Sequence, residues 1–118
     1  MTREMERTEL IARESIRDLL ARYTAAGDRG RSAEVAGCFL PEGILDVGDH
    51  GGVWEGRETI KRELDAVAAR VAAAGGASGP VQHHVSSVHI ELRDPTSAIV
   101  RSYFCVFTDA GPDHWGRY

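Results

Sequence analysis

The chain contains little cysteine and little proline, with two and four residues respectively among 118. Cys38 and Cys105 lie far apart and lack zinc-finger spacing, which argues against a zinc module and against a disulfide framework. Both have apolar neighbours, which favours buried, reduced thiols. No apolar run approaches the roughly 18 residues of a membrane span, and the charged N-terminal segment does not resemble a signal peptide. We therefore expect a cytoplasmic protein without membrane contact.

A surplus of positive charge is also missing. The net charge is −4 and the basic residues are scattered, so we expect no nucleic-acid partner. Walker, dinucleotide-binding and G-x-S-x-G motifs are absent, and no cofactor is expected. Asp46, Asp49 and His50 lie close together in a glycine-rich stretch, but their spacing matches no dedicated metal site, so no metal is expected. The length fits a single domain over residues 1–118 that buries a core without disulfides.

The hydrophobic pattern predicts helices first and most of the strands later. Leu10, Ile16 and Tyr23 belong to an apolar stripe with helical spacing, which Gly27 is expected to end. Asp94–Ser97 is a turn-forming tetrad between the two longest predicted strands. The predicted helices cover residues 8–26, 32–40 and 58–74; the predicted strands cover residues 44–47, 83–93 and 98–108, before an apolar stretch with Trp115 and Tyr118. Helices beside an antiparallel sheet give an α+β layer architecture.

Two histidines, a tyrosine and an aspartate are the first candidates for chemistry. His83 and His84 open a predicted strand, and Tyr23 and Asp28 lie five positions apart at the end of the first helix. A histidine with a carboxylate is the minimum for proton transfer near neutral pH, because imidazole titrates there unperturbed. A simpler interpretation without chemistry exists for each residue. Asp28 could be an ordinary turn residue, and either histidine could be a polar residue at the rim of the sheet.

Only one of the two histidines can face inward on a regular strand, because side chains alternate between the faces. Alternation groups His84 with Val88 and Ile90, an apolar set, and so favours His84 as the inward residue. A bulge at Ser86–Ser87 would turn His83 inward instead, because an extra residue reverses the facing of the residues after it. The strand pattern alone leaves both histidines open.

Five segments of the chain form a recognisable set. They read ARYTAAGD, CFLPEGILDV, VWEGRETI, QHHVSSVHIEL and DHWGRY, and the set extends from about Leu19 to the C-terminus. In this order they resemble the SnoaL-like branch of the ketosteroid isomerase and scytalone dehydratase superfamily, also called nuclear transport factor 2-like. The resemblance implies a cone-shaped α+β barrel, in which a curved antiparallel sheet wraps around N-terminal helices and leaves a pocket.

The resemblance also implies site residues. Members akin to scytalone dehydratase, lindane dehydrochlorinase and bile-acid 7α-dehydratase use an Asp–His pair, sometimes with a helix tyrosine. Asp28 matches the family aspartate, His83 the family histidine, and Tyr23 has the tyrosine spacing of the bile-acid enzyme. His83 would take a proton from a carbon next to a carbonyl, and Asp28 would orient its ring. Tyr23 would bond the substrate oxygen or the leaving group, and His84 is the second candidate for the base.

In such a fold, further residues would line the pocket and bind the substrate. They are His84 and a set of aromatic residues, although aromatic residues at such places are more often plain core: Phe39, Trp54, Tyr103, Phe104, Trp115 and Tyr118. Family members usually continue past the last segment into one or two more strands, whereas this chain ends at Tyr118. The expectation is a single SnoaL-like domain with missing or shortened C-terminal strands and an unpaired sheet edge, which favours association.

These expectations together describe a cofactor-independent lyase or isomerase. It would act like a dehydratase, with proton abstraction by an Asp–His dyad, on a small hydrophobic or polycyclic substrate. The alternative is a non-catalytic member of the same fold, which binds a hydrophobic ligand or serves as a dimerisation module. The expected partners are a small hydrophobic molecule in the pocket and further copies of the chain, as a homodimer or a larger homo-oligomer.

Overall fold

A computed structural model describes residues 4–49, 51–75 and 80–118. Within these ranges the helices are α1 (Arg7–Asp28), α2 (Ser32–Ala36) and α3 (Arg57–Ala73). The strands are β1 (Ile44–Gly48), β2 (Gly52–Glu55), β3 (Val81–Asp94), β4 (Ser97–Thr108) and β5 (Gly111–Arg117). Strands β1 and β2 form an antiparallel hairpin, and β3, β4 and β5 form an antiparallel sheet in that order. The predicted α+β architecture is confirmed.

Helix α1 runs past its predicted end. Gly27 was expected to end the helix, but α1 continues through Gly27 and includes Asp28. The left-handed residue that follows the helix is Gly30, with φ 67°, and glycine adopts that conformation without strain. A single glycine inside a helix costs only about 1 kcal/mol, which a long helix that packs on a sheet readily offsets. The extension matters because it makes Asp28 the last helical residue.

Two shorter elements also differ from the prediction. Helix α2 ends at Ala36 instead of residue 40, because tight turns replace the helix there: the Cys38 and Phe39 amides donate to carbonyls three residues back. Strand β2 was not predicted, since it is short and follows a run of glycines. The residues considered for a metal are split: Asp46 lies in β1 and Asp49 in the turn that follows it, while His50 lies outside the described residues.

The core has two parts. Ile60 is fully buried on α3 and packs with Ala36 and Trp54, flanked by Phe39, Leu45, Val47, Leu64 and Val67. The second part consists of the other buried apolar residues, Ala26 on α1, Val35 on α2, Ile90 on β3 and Val106 on β4. Cys38 and Cys105 are both half-buried free thiols.

Helix α1 lies antiparallel to β3, and two contacts fix its position along the strand. The Arg13 guanidinium donates to the Ile90 carbonyl at 2.8 Å, and fifteen residues later Asp28 contacts His83. Fifteen helical residues span about 22 Å and the seven residues from His83 to Ile90 span about 23 Å when extended, so the two elements are matched in length. This match places the C-terminus of α1 beside the start of β3.

A bulge in β3 decides which histidine faces α1. The pairing with β4 shifts between Ser86 and His89, and Ser87 has a positive φ of 53°. Before the bulge the side chains of His83 and Val85 are half-buried, while His84 is exposed. The bulge that the sequence allowed as one of two alternatives is therefore present. It explains why His83, the residue that matches the family, faces α1 although simple alternation favoured His84.

No helix among the described residues is long and apolar enough to cross a membrane.

Candidate active site

Asp28 and His83 form a bonded pair at the junction of α1 and β3. The His83 ring Nδ1 lies 2.5 Å from Asp28 Oδ1, and the His83 backbone N–H donates to the same carboxylate, at 3.0 Å from Oδ1 and 3.2 Å from Oδ2. The two side chains are 21% and 26% exposed respectively. The pair is thus largely sheltered from water, yet one edge of it stays open to a ligand.

The position of Asp28 is electrostatically costly without His83. A carboxylate at the C-terminus of a helix meets the negative end of the helix dipole, and α1 has no basic residue in its last turn. A mostly buried carboxylate also needs hydrogen-bond donors. The backbone and the ring of His83 supply them, so docking of β3 onto α1 is what makes this charge tolerable.

The contact also fixes the chemical state of the imidazole. An ionised carboxylate only accepts hydrogen bonds, so the Nδ1 that faces Asp28 carries a proton. In the neutral ring the other nitrogen, Nε2, then holds the free lone pair. A histidine held in this way offers the Nε2 lone pair to a ligand as a base. Once Nε2 has taken up a proton, the positive charge of the ring lies beside the Asp28 carboxylate.

Aromatic side chains extend from this pair across the inner face of the sheet. Tyr118 stacks on Phe104 at 4.6 Å between ring centroids and meets Tyr23 edge-on at 5.9 Å. Tyr23 in turn meets Phe39 edge-on at 6.0 Å, and the His83 ring lies 6.4 Å from Phe104. We call these residues, Phe39, Tyr23, Tyr118 and Phe104, the aromatic row. It joins α1, the turn after α2 and the sheet around the Asp28–His83 pair.

Both tyrosines of the aromatic row keep their protons more firmly than usual. Burial raises the pKa of Tyr23, and the neighbouring Cys38 raises it further. Burial also raises the pKa of Tyr118, with smaller contributions from Tyr23 and from the charge of Asp28. Two phenols that stay protonated beside a carboxylate are suited to donate hydrogen bonds to a ligand oxygen.

Gly116 lets the aromatic row form. A Cβ built on Gly116 would lie 2.7 Å from Cζ of Phe104, closer than real side chains approach. Phe104 and Gly116 are direct cross-strand partners on β4 and β5. The absence of a side chain at residue 116 therefore leaves the space in which the Phe104 ring lies against Tyr118.

Three of the predicted pocket residues lie on the opposite face of the sheet. His84 bonds Gln82 at 3.2 Å and its ring meets Phe107 at 5.2 Å, while Tyr103 is 55% exposed and Trp115 is 81% exposed. The reason is strand alternation: each of the three is next in sequence to a residue that faces inward. His84, Tyr103 and Trp115 therefore stay away from the Asp28–His83 pair, and we leave them out of the proposed site.

The remaining predicted residues divide between core and site. Trp54 is buried in the α2–α3 core, with its indole N–H donating to the Gly51 carbonyl at 3.0 Å. Phe39 packs against that core and also touches Tyr23. Tyr118 contacts both Phe104 and Tyr23, so it borders the Asp28–His83 pair. The structure thus brings Asp28, His83, Tyr23, Tyr118 and Phe39 into one region and buries Trp54 elsewhere.

Three surface hollows lie along α1, and none of them includes the pair. The largest, about 790 Å³, lies between the start of α1 and the β3–β4 turn. Hollows of about 390 and 310 Å³ flank α1, one toward α2 and one toward Val85 and Val88. Neither Asp28 nor His83 lines any of the three. Within the described ranges, no group of three or more His, Cys, Asp or Glu residues is arranged to hold a metal ion.

Sequence reasoning missed two residues of the inner face, Gly116 and Ser102. A signal for each was present. A glycine inside a strand indicates a close approach of another group, which here is the Phe104 ring. Ser102 alternates with Phe104 and Val106 along β4, so its side chain shares their inward face.

The arrangement of helices on one face of an antiparallel sheet defines the class of cone-shaped α+β folds. Within that class, the chain belongs to the SnoaL-like domain family, whose model matches residues 8–118. The resemblance predicted from the five segments is confirmed. None of the curated protein sequences matches this chain.

Solved structures show the same fold. A protein from Catenulispora acidiphila has a TM-score of 0.79 at 22% identity, with 95% of this chain and 79% of that chain covered. A Novosphingobium aromaticivorans protein, provisionally named a scytalone dehydratase, has a TM-score of 0.75 at 20% identity, with 97% and 74% covered. A variant of Rv3472 from Mycobacterium tuberculosis, of unknown function, has a TM-score of 0.74 at 28% identity, with 92% and 60% covered.

Proposed function

We propose that the protein is a cofactor-independent lyase or isomerase in which His83 removes a proton from a carbon next to a carbonyl. The observation that carries this proposal is the 2.5 Å contact between His83 Nδ1 and Asp28 Oδ1 beside the aromatic row. The contact leaves Nε2 free to act as the base, and Asp28 stabilises the imidazolium that forms. General acid–base assistance of this kind typically contributes about 10²–10⁴-fold in rate.

In a dehydratase, the proton that His83 removes is returned to the leaving hydroxyl. Nε2 of His83 takes the proton, the C–H bond breaks, and its electron pair moves toward the carbonyl to give an enolate. The C–O bond at the next carbon then breaks, a C=C bond forms, and the departing hydroxyl takes a proton from the imidazolium to leave as water. In an isomerase the imidazolium would return the proton to a different carbon. Tyr23 hydrogen-bonds the carbonyl or the leaving oxygen in either case.

The proposed substrate class is a small hydrophobic or polycyclic ketone. Aromatic rings on the inner face, in the aromatic row, favour flat apolar molecules, since offset stacking and edge contacts stabilise them. The relative from Novosphingobium aromaticivorans that is provisionally named a scytalone dehydratase supports a dehydratase over the other reactions of the class.

The experiment that tests this proposal is a dehydration assay. Purified protein is incubated with cyclic β-hydroxyketones of two or three fused rings, and formation of the conjugated enone is followed by absorbance. His83→Gln and Asp28→Asn are expected to lower the rate by about 10²-fold or more. His84→Gln, which changes the adjacent histidine on the outer face, is expected to keep it. Equal turnover by His83→Gln and the wild type would contradict the proposed role.

The alternative is a non-catalytic module that binds a hydrophobic ligand. It is favoured by one observation, namely that the three surface hollows lie apart from the Asp28–His83 pair. A binding module would be stabilised by its ligand to the same extent in the wild type and in both dyad variants. Stabilisation without turnover, unchanged by His83→Gln, therefore selects this alternative.

We also propose that the chain forms a homodimer through the outer face of its sheet. That face carries large apolar side chains in water, which in soluble proteins often mark an interaction surface. Its residues are His84, Tyr103, Cys105, Phe107 and Trp115. Identical chains can bury the same apolar face against each other, which is the self-complementary contact of a two-fold dimer.

A further inference from the structure

A second histidine–aspartate pair lies on β5, on the inner face of the sheet. The His114 ring Nδ1 lies 2.5 Å from Asp113 Oδ2. His114 is the cross-strand partner of Val106, and Val106 is also the partner of His83, so one row of residues crosses β5, β4 and β3. Direct cross-strand partners share a face of the sheet. His114 therefore lies on the same face as the candidate active site.

The Phe104 ring contacts both histidines from the strand between them. Its centroid lies 6.4 Å from that of the His83 ring and 6.0 Å from that of the His114 ring, which it meets edge-on. The two imidazoles are therefore at most about 12 Å apart. Their backbones are separated by two strand spacings, about 10 Å. A half-buried aromatic ring thus has a polar ring on each side.

The His114 side of this arrangement is accessible to a ligand. Helix α1 packs along β3, whereas no helix in the described part of the chain packs closely against β5. The side chain of His114 is 57% exposed, compared with 26% for His83. A flat molecule that lies beside Phe104 with one end at His83 can therefore reach His114 with its other end, on the side that meets solvent.

The contact with Asp113 decides which kind of group His114 can bind. An ionised carboxylate only accepts hydrogen bonds, so the Nδ1 that faces it carries the proton. In the neutral ring, Nε2 is then a hydrogen-bond acceptor. It can pair with a ligand O–H or N–H group, but it offers nothing to a carbonyl or ether oxygen, because these also only accept.

We propose that His114 is a substrate-binding residue that accepts a hydrogen bond from the end of the substrate remote from His83. This inference rests on the proposed function and narrows its substrate class to ketones with an O–H or N–H group at the far end of the ring system. A bicyclic ligand about 6 Å long, with a contact of about 3 Å at each end, spans about 12 Å. Two fused rings are therefore long enough to reach both histidines.

Three ketones that differ only at the far end test the inference. They are 2-tetralone, 6-hydroxy-2-tetralone and 6-methoxy-2-tetralone, and their dissociation constants are measured by NMR titration of the protein. The wild type is expected to bind the hydroxy compound about three- to tenfold more tightly than 2-tetralone, the range of one net hydrogen bond. The methoxy group cannot donate and should give no such gain. His114→Phe keeps an aromatic ring beside Phe104 without an acceptor, so it should lose the preference and retain the affinity for 2-tetralone.

His89→Phe is the matched control. His89 is an exposed histidine of the same sheet, but it precedes the buried, inward-facing Ile90 and so lies on the outer face. It should keep the wild-type preference. The inference is overturned if His114→Phe retains the preference, if the wild type has none, or if the wild type binds none of the three ketones. The dehydration assay with His83→Gln measures turnover instead of this preference, so failure of the proposed function and failure of this inference are distinguishable.

Discussion

At the scale of single residues, Asp28 shows what the pairing with His83 achieves. Its carboxylate stands at the negative end of a long helix, where it is disfavoured unless donors surround it. Two of these donors come from one residue on another element. The sequence could suggest this pair through the family resemblance, but not through strand alternation, which favoured His84. The local rule failed at a place where the chemistry is proposed, as is common for functional sites.

The two tyrosines of the aromatic row predict an alkaline loss of stability. The pKa values of Tyr23 and Tyr118 are raised in the folded protein, so the folded state keeps protons that the unfolded chain releases above about pH 10. The stabilisation is complete below that pH and is lost as the pH rises through the raised folded values. Urea unfolding midpoints should therefore fall on the alkaline side, and Tyr23→Phe and Tyr118→Phe should each show a shallower fall. Identical slopes for all three proteins would contradict the shifts.

Gly116 predicts a clash if any side chain is added. Gly116→Ala places a methyl group against the Phe104 ring, and such overpacking typically costs about 1–3 kcal/mol in the free energy of unfolding. Gly27→Ala is the control, since a Cβ there meets nothing within 4 Å and alanine favours a helix. Urea denaturation should show a loss for Gly116→Ala and a gain for Gly27→Ala. Wild-type stability of Gly116→Ala would mean that Phe104 is free to move.

At the scale of elements, the orientation of α1 on β3 sets the site. The Arg13–Ile90 contact and the Asp28–His83 contact hold α1 along β3. The helix itself was predictable from its apolar spacing, whereas its exact end was not, because Gly27 proved tolerable inside it. The sequence alone suggested the bulge in β3 as one possibility. Its presence depends on the pairing with β4, which no local pattern determines.

The bulge predicts a strict requirement at Ser87. A residue with φ of 53° is strained unless it is glycine or a small polar residue, and a β-branched side chain is the least tolerated there. Ser87→Val should lower the free energy of unfolding by about 1–2 kcal/mol or more, measured by urea denaturation. Ser87→Gly should keep wild-type stability and turnover. If Ser87→Val unfolds like the wild type, residue 87 does not hold the conformation on which the facing of His83 depends.

At the scale of the whole molecule, the order of helices and strands sufficed to predict the α+β class. It did not suffice to sort the aromatic residues between the faces of the sheet. Tyr103 and Trp115 were expected in the pocket, but the register of β3, β4 and β5 puts them on the outer face. Sorting them requires the strand pairing, including the shift between Val106 and Phe107, and that information lies in tertiary contacts.

The exposed outer face predicts how the molecule assembles. Trp115→Arg introduces a charge into the apolar face, so a dimer built on that face should dissociate. Light scattering coupled to size exclusion should show a dimer for the wild type and a monomer for Trp115→Arg. Leu10→Arg, at an exposed apolar residue of α1, is the control and should remain a dimer. A monomeric wild type, or a Trp115→Arg dimer, would place the interface elsewhere or remove it.

The most direct test of the central claim is proton exchange at the carbon next to a carbonyl. The protein is incubated with 2-tetralone in deuterated buffer, and loss of the α-proton signal is followed by NMR. The measurement needs only proton abstraction, so it covers both lyase and isomerase chemistry. The wild type and His84→Gln should accelerate exchange equally, and His83→Gln should reduce the enzymatic part by about 10²-fold or more. Exchange at the wild-type rate in His83→Gln would contradict the assignment of His83 as the base.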